Sequence, residues 1–384
     1  MSLMSYAEAR PWAKGIRDAV ADGVMPPWHA DPAHGKFRNA RVLTAAEKDT
    51  LTRWANGGAP EGRAADAPKP PVYAEGWRIG KPDLILSMPK TYSLKADGMI
   101  DYQYFEVPTN FTEDKFVSAI EIRPGNREVV HHALLFTRTA PAPPGTPRRM
   151  MFTQPRAQQE GPEPVRTSEE NAPTGPTNGL LATFAPGTGP TILPEGTAIR
   201  VRAGTVLVFQ MHYTTNGKPA DDRTTVGLVF SDKPPTDEIR ATHFMNRSLL
   251  LPAGAANQQV DADITFNEDV KLWGLFPHTH LRGIRWKYEA VYPDGRREVV
   301  LSVPRYDFNW QTYYAFDTPL LLPKGTKLVA IAHYDNSSGN PDNPDPKSDV
   351  RWGEQTWEEM QYTGLLVSFA NPAPTPPVRD PAKK

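Results

Sequence analysis

Proline sets the first limit on what this chain can become. It fills 41 of 384 positions, about twice the usual ~5%. A proline inside a helix removes a backbone donor and its ring clashes with the turn before it, so long helices are ruled out at this density. Short strands joined by turns are what remains. From Asp83 onward the apolar residues recur with a period of about two, the spacing of a half-buried strand. The pattern predicts strands at 83–88, 100–108, 116–124, 131–138, 198–203, 205–215 and 224–231. It resumes at 238–245, 258–265, 269–277, 284–292, 297–303, 311–317, 326–334 and 361–369. Pro293-Asp294-Gly295 supplies a hairpin turn. A mainly β chain of two antiparallel sandwiches in tandem is expected. Such a length exceeds one ordinary core, and Pro234-Pro235 divides it into halves at 80–233 and 236–372.

The ends read differently. Residues 1–70 form a small helical segment, with a helix from Tyr6 to Val24. A second starts at Thr44, where Glu47 completes a capping box, and stops at Gly57-Gly58. Residues 64–71 read as a linker, 139–180 as a long loop (a lid or plain disorder), and 373–384 as a Pro-rich tail. No run of roughly 18 apolar residues is present, so no membrane span is expected. The net charge of −1 argues against broad attraction to nucleic acid. The start of the chain, MSLMSYAEARPW, has neither the basic nor the apolar region of a signal peptide.

Cysteine is absent, which removes thiolate ligands, disulfides and haem attachment through C-x-x-C-H. A metal here must be held by nitrogen, oxygen or thioether. Five of the nine histidines fall in three tight settings. His278 and His280 sit two apart, on one face of a strand, so one ion can take both. His131 and His132 are adjacent and point to opposite faces unless the backbone bends, as at a bulge or a strand start. His212 ends the polar face of a strong strand, sharing it with Gln210, while Leu207, Phe209, Met211 and Tyr213 share the other. Met360 follows Glu358-Glu359, which breaks any continuous apolar stripe. Each group has a plain alternative: a solvated pair, one core and one exposed imidazole, a hydrogen-bonded histidine, or a packed methionine. His29, His34, His243 and His333 are taken as structural, with His333 able to orient a ligand.

Taken together and in order, these residues carry a resemblance. His131-His132-Ala133-Leu134-Leu135-Phe136, Gln210-Met211-His212-Tyr213, His278-Thr279-His280 and Glu359-Met360 resemble the copper type II, ascorbate-dependent monooxygenases. These are the peptidylglycine α-hydroxylating and dopamine β-hydroxylating enzymes. The chain looks most like bacterial relatives with similar Trp352-Gly353 and Asn343-Pro344-Asp345-Pro346 segments, over about residues 80–370. The resemblance implies two jelly-roll-like sandwiches with one copper each. His131, His132 and His212 would hold the electron-transfer copper. His278, His280 and Met360 would hold the copper that activates O2, and a neutral thioether suits Cu(I) there. The implied activity is hydroxylation of a C–H bond with O2 and two external electrons.

The sequence departs from the peptide-acting enzymes in three places. Phe276 stands where they carry an arginine that grips a carboxylate, and Tyr362 and Gly364 stand at their Asn and Tyr positions. The small organic substrate is therefore left open. Met25-Pro26-Pro27-Trp28 and Trp54 through Pro60-Glu61-Gly62 resemble the end of a c-type cytochrome domain. No haem is expected in this chain. A cytochrome upstream would be a natural donor in place of ascorbate, and the resemblance implies a periplasmic or secreted full-length protein. Two other readings stay open. One is a copper-binding or electron-transfer protein on the same fold without turnover. The other is a zinc hydrolase built on the three histidines, with Glu358 or Glu359 as base if either points inward.

Overall fold

A computed structural model describes residues 3–67, 69, 76–98, 100–139, 150–162, 179–185 and 188–371 of the chain. The expected tail at 373–384 and parts of the 64–71 linker and the 139–180 loop lie outside the described residues.

The strand Val206–Tyr213 shows how the alternation becomes structure. Leu207, Phe209 and Met211 are fully buried and enter one core together with Tyr213. Gln210 and His212 point away from that core. Fourteen further strands lie close to their expected places, among them Val130–Arg138, Val270–His278 and Tyr362–Phe369. The expected hairpin is present: Gly295, with φ +86°, donates to the Tyr292 carbonyl over 2.9 Å between Gly283–Val291 and Arg297–Val303.

The chain is mainly β, and its strands make two sandwiches. In the first, Gln103–Pro108, Val206–Tyr213, Val130–Arg138 and Gly179–Phe184 form one sheet in that order. Facing it are Leu84–Ser87, Thr225–Phe230, Lys115–Arg123 and Thr197–Val201. In the second, Arg297–Val303, Gly283–Val291, Lys327–Tyr334, Gln258–Phe266 and Phe152–Thr153 face Asp237–Met245, Tyr362–Phe369, Val270–His278 and Tyr314–Leu322. The two facing sheets are continuous. Asp237, Glu238 and Ile239 pair in parallel with Thr197, Ala198 and Ile199, giving one nine-stranded sheet through both halves. Short-range alternation gives no sign of this pairing, because it joins segments nearly forty residues apart (237 against 197).

Local chemistry explains the helices. Thr44 caps Ala45–Asn56 with the full capping box to Glu47, and the cap at the other end is Gly57. The expected Tyr6–Val24 helix is instead Tyr6–Ala9, a 3-10 turn at Arg10–Trp12, and Ala13–Ala21. Pro11 has no N–H to continue the ladder, and the chain tightens there. The described part of the long loop also differs from a bare loop. It holds the strand Phe152–Thr153, the helix Arg156–Gln159 and the start of Gly179–Phe184.

The segment after the first helices straps the second sandwich. Phe37 bridges to Phe316, and Asp317 donates to the Lys36 carbonyl over 2.8 Å. Trp28 meets Tyr314 edge-on at 5.0 Å. Ile239, 1% exposed, sits on the strand shared by both halves. Ile239→Ala should cost about 2–4 kcal/mol in urea unfolding, by lost burial plus a residual cavity. A cost below about 1 kcal/mol would mean that the shared strand is not a packed wall.

Candidate metal centres

His131 and His132 reach the same place because the ladder slips there. His212 pairs with His132, yet Tyr213 pairs with Val130, so His131 is the extra residue of a bulge. The bend brings three Nδ1 atoms together. Those of His131 and His132 are 3.2 Å apart, and those of His132 and His212 are 3.3 Å apart. Two nitrogens bound at ~2.0–2.1 Å with a tetrahedral angle lie about 3.3 Å apart, so this spacing suits one shared ion. Without an ion, a hydrogen shared by one pair leaves the third nitrogen facing a lone pair. Among the described residues this is the group of three or more His, Cys, Asp or Glu side chains close enough to hold a metal, its ligand atoms lying within 4.8 Å of one another.

The other half of the molecule finishes this site. Thr356 Oγ1 lies 3.3 Å from His212 Nε2, which leaves Nδ1 for an ion. The Phe308 ring stacks on His131 at 5.1 Å and 21°. Tyr102 stands edge-on to His132 at 5.7 Å and to His212 at 5.1 Å.

The second group presents its other nitrogens. His278 Nδ1 lies 2.7 Å from Gln311 Oε1, and His280 Nδ1 lies 3.2 Å from the Glu358 carbonyl. Both partners are acceptors, so each Nδ1 carries the proton and each Nε2 keeps its lone pair. His280 Nε2 is buried with no hydrogen-bond partner, the condition of a ligand nitrogen. The two rings stand at 81°, 5.2 Å apart. Met360 reaches this region through Glu359. The buried Glu359 carboxylate accepts from the backbone N–H of His280 (2.8 Å), Met360 (3.0 Å) and Arg282 (2.7 Å). One carboxylate thus ties the segment of His280 to that of Met360.

His278 and Met360 line a cavity of about 650 Å³ together with His132 of the first site. Its walls are mostly apolar and aromatic: Tyr102, Leu134, Phe136, Phe276, Trp352 and Tyr362. Gln210 donates to the Tyr104 hydroxyl (2.7 Å), which donates to Glu354 (3.3 Å), at its polar edge. Among the described residues, no arginine or lysine lines it. Phe276 lies nearly parallel to His278, and a Cβ on Gly364 would sit 3.2 Å from Phe276 Cβ, so glycine gives that ring its room.

Several residues here were not singled out by sequence. Phe308, Gln311, Thr356, Arg282 and Tyr102 carry no motif of their own. His243, taken as structural, lines the cavity, stacks on Tyr362 at 5.1 Å and 22°, and has a buried Nδ1 without a partner. His29, His34 and His333 are not among the residues of either site or of the cavity lining.

No family model and no curated protein sequence matches the chain. Among solved structures it is similar to the VP2 subviral particle of infectious bursal disease virus, at 10% identity and a TM-score of 0.20, covering 75% of this chain and 72% of that one. It is also similar to the tandem CBM22 domains of Paenibacillus barcinonensis Xyn10C, at 8% identity and a TM-score of 0.14, covering 75% and 93%. Likeness at that level carries no argument about activity.

Burial, with neighbouring imidazoles adding to it, keeps the histidines neutral. His212 is pushed down to about 3 and His278 to about 4, and His132 and His280 lie well below the ordinary 6.5. The unfolded chain binds more protons than the folded one between those values and 6.5, so stability is lost as pH falls through this window. Glu359 acts the other way. Burial raises it to about 7 against the pull of its three N–H donors, so it takes up a proton on folding. The histidines outnumber it. The thermal midpoint of the metal-free protein should therefore drop by several degrees between about pH 6.5 and 5. A flat profile there would contradict neutral buried imidazoles.

Proposed function

We propose that this chain is a dicopper monooxygenase that hydroxylates a C–H bond of a small organic molecule, using O2 and two electrons from an external reductant. One observation carries the reading. Two groups of histidines, one presenting Nδ1 atoms and the other Nε2 atoms, adjoin a single largely apolar cavity that Met360 also lines. Copper bound there would supply an electron at His131, His132 and His212 and would activate O2 at His278, His280 and Met360.

The protein's own part is placement. Gln311 and the Glu358 carbonyl set the tautomers of His278 and His280, and Thr356 engages His212 Nε2. Phe308 stands near both sites, 5.1 Å from the His131 ring and 6.3 Å from the His280 ring. The apolar walls hold the substrate body and keep bulk water away from the reacting carbon. Phe276 in place of an arginine, with no arginine or lysine among the described lining residues, favours a substrate without a carboxylate. Ascorbate or a cytochrome would be the reductant.

The hydrolase reading needs a free carboxylate. Both Glu359 oxygens are engaged by backbone N–H groups, and Glu358 Oε2 accepts from Gln355 N–H over 2.9 Å. An electron carrier without turnover would have no use for a cavity of about 650 Å³ against its ligands.

Metal analysis after copper loading should give two coppers per chain. Met360→Ile should abolish ascorbate-driven O2 uptake while leaving the copper of the three-histidine site bound, and His212→Ala should remove that copper selectively. One zinc and no copper would end the proposal. Equal metal loss at both sites in Met360→Ile would break the two-site assignment.

A further inference from the structure

A second cavity, of about 540 Å³, plays no part in the chemistry above. It lies behind the first: Leu180, Thr183 and Phe276 belong to both linings and form the wall between them. Its floor is apolar, built from Leu181, Ala182, Ile192, Leu193, Leu365 and Leu366. Its charge is all of one sign. Among the described residues, Arg38, Arg41 and Arg78 line it, and no aspartate or glutamate does. The chain as a whole has 43 basic and 44 acidic side chains, so a lining with three cations and no anion stands out from that balance.

The arginines come from two distant stretches. Arg38 and Arg41 sit on the strap that crosses the second sandwich, and Arg78 precedes the first strand of the other. One of them is placed by cavity backbone: Arg38 Nη2 donates to the Ile192 carbonyl over 3.2 Å. None of the three is in an ion pair among the described residues. The nearest carboxylates are occupied or outside: Glu121 accepts the Arg78 backbone N–H over 2.6 Å, and Asp317 acts on Arg38 from the strap side without lining the cavity. Guanidinium groups left unpaired beside an enclosed apolar floor suit a planar anion carried on a hydrophobic body. The volume falls in the ~300–1,000 Å³ range of small-molecule sites.

We propose that this cavity binds an amphipathic organic anion, its carboxylate, sulfonate or phosphate head held by Arg38, Arg41 and Arg78 and its apolar body against the Leu181–Leu193 and Leu365–Leu366 floor. The site does not depend on metal at the histidines.

The test uses 8-anilinonaphthalene-1-sulfonate as the probe on the full chain, with its uncharged analogue N-phenyl-1-naphthylamine as control and decanoate as competitor. The sulfonate should bind with a rise in fluorescence and be displaced by decanoate. Arg41→Gln/Arg78→Gln, changing two exposed side chains, should weaken sulfonate binding by at least about tenfold. Adding Arg38→Gln should weaken it further, and the uncharged analogue should bind all variants alike. Absence of sulfonate binding to the unaltered chain would overturn the proposal. So would unchanged affinity in the double and triple variants, since that places the probe in the histidine cavity, which has no arginine.

Discussion

The buried carboxylate of Glu359 is the constraint on which the second site depends. A charge without solvent is expensive unless hydrogen bonds replace its water. Here three backbone N–H groups, from His280, Arg282 and Met360, do so. Because these donors belong to segments some eighty residues apart, satisfying the carboxylate and positioning the ligands are one event. Arg282 extends the same network. Fully buried, it donates to Asn336 over 2.8 Å and to the Trp357 carbonyl over 2.9 Å. Asn336 in turn holds the carbonyls of Pro252 and Ser348 at 3.0 Å each. A polar network satisfied at this many points behaves as a rigid body.

The same loops that finish the second site reach across to the first. The stretch between Arg297–Val303 and Tyr314–Leu322 carries three side chains with separate tasks. Tyr306 donates to the Thr279 carbonyl over 3.0 Å and steadies the backbone between the paired histidines. Phe308 covers His131, and Gln311 orients His278. From the other side, Thr356 meets His212 and Glu354 accepts from Tyr104. The second half of the chain therefore supplies contacts to the site built mainly by the first.

Much of the fold was legible in the sequence. Strand alternation on one face, as in Val206–Tyr213, survives in a single chain because burial of one side is a local demand. The capping box at Thr44 is equally local. What could not be read were events that depend on partners distant in sequence. A bulge or a strand start at His131-His132 was one expected way for the pair to converge, but which of them occurs is settled only once His212 is laid beside it. The parallel contact of Asp237–Ile239 with Thr197–Ile199 has no signature in either segment. His131, His132, His278 and His280 stood out as closely spaced imidazoles, whereas His212 and Met360 gained weight only from the order of the segments around them. Gln311, Thr356 and Phe308 did not, because amide, hydroxyl and phenyl groups have many. His243 was read as structural because a lone histidine has no spacing to interpret.

The unbroken nine-stranded sheet bears on how far the two histidine groups can move relative to one another. Tandem domains joined by a linker can swing, and a gap between them can open and close. Here a strand of the second sandwich is hydrogen-bonded into the wall of the first, so such a swing would have to tear a ladder apart. The gap between the histidine groups is therefore set when the chain folds. Any change in that gap falls to the side chains within it, the phenyl ring of Phe308 among them.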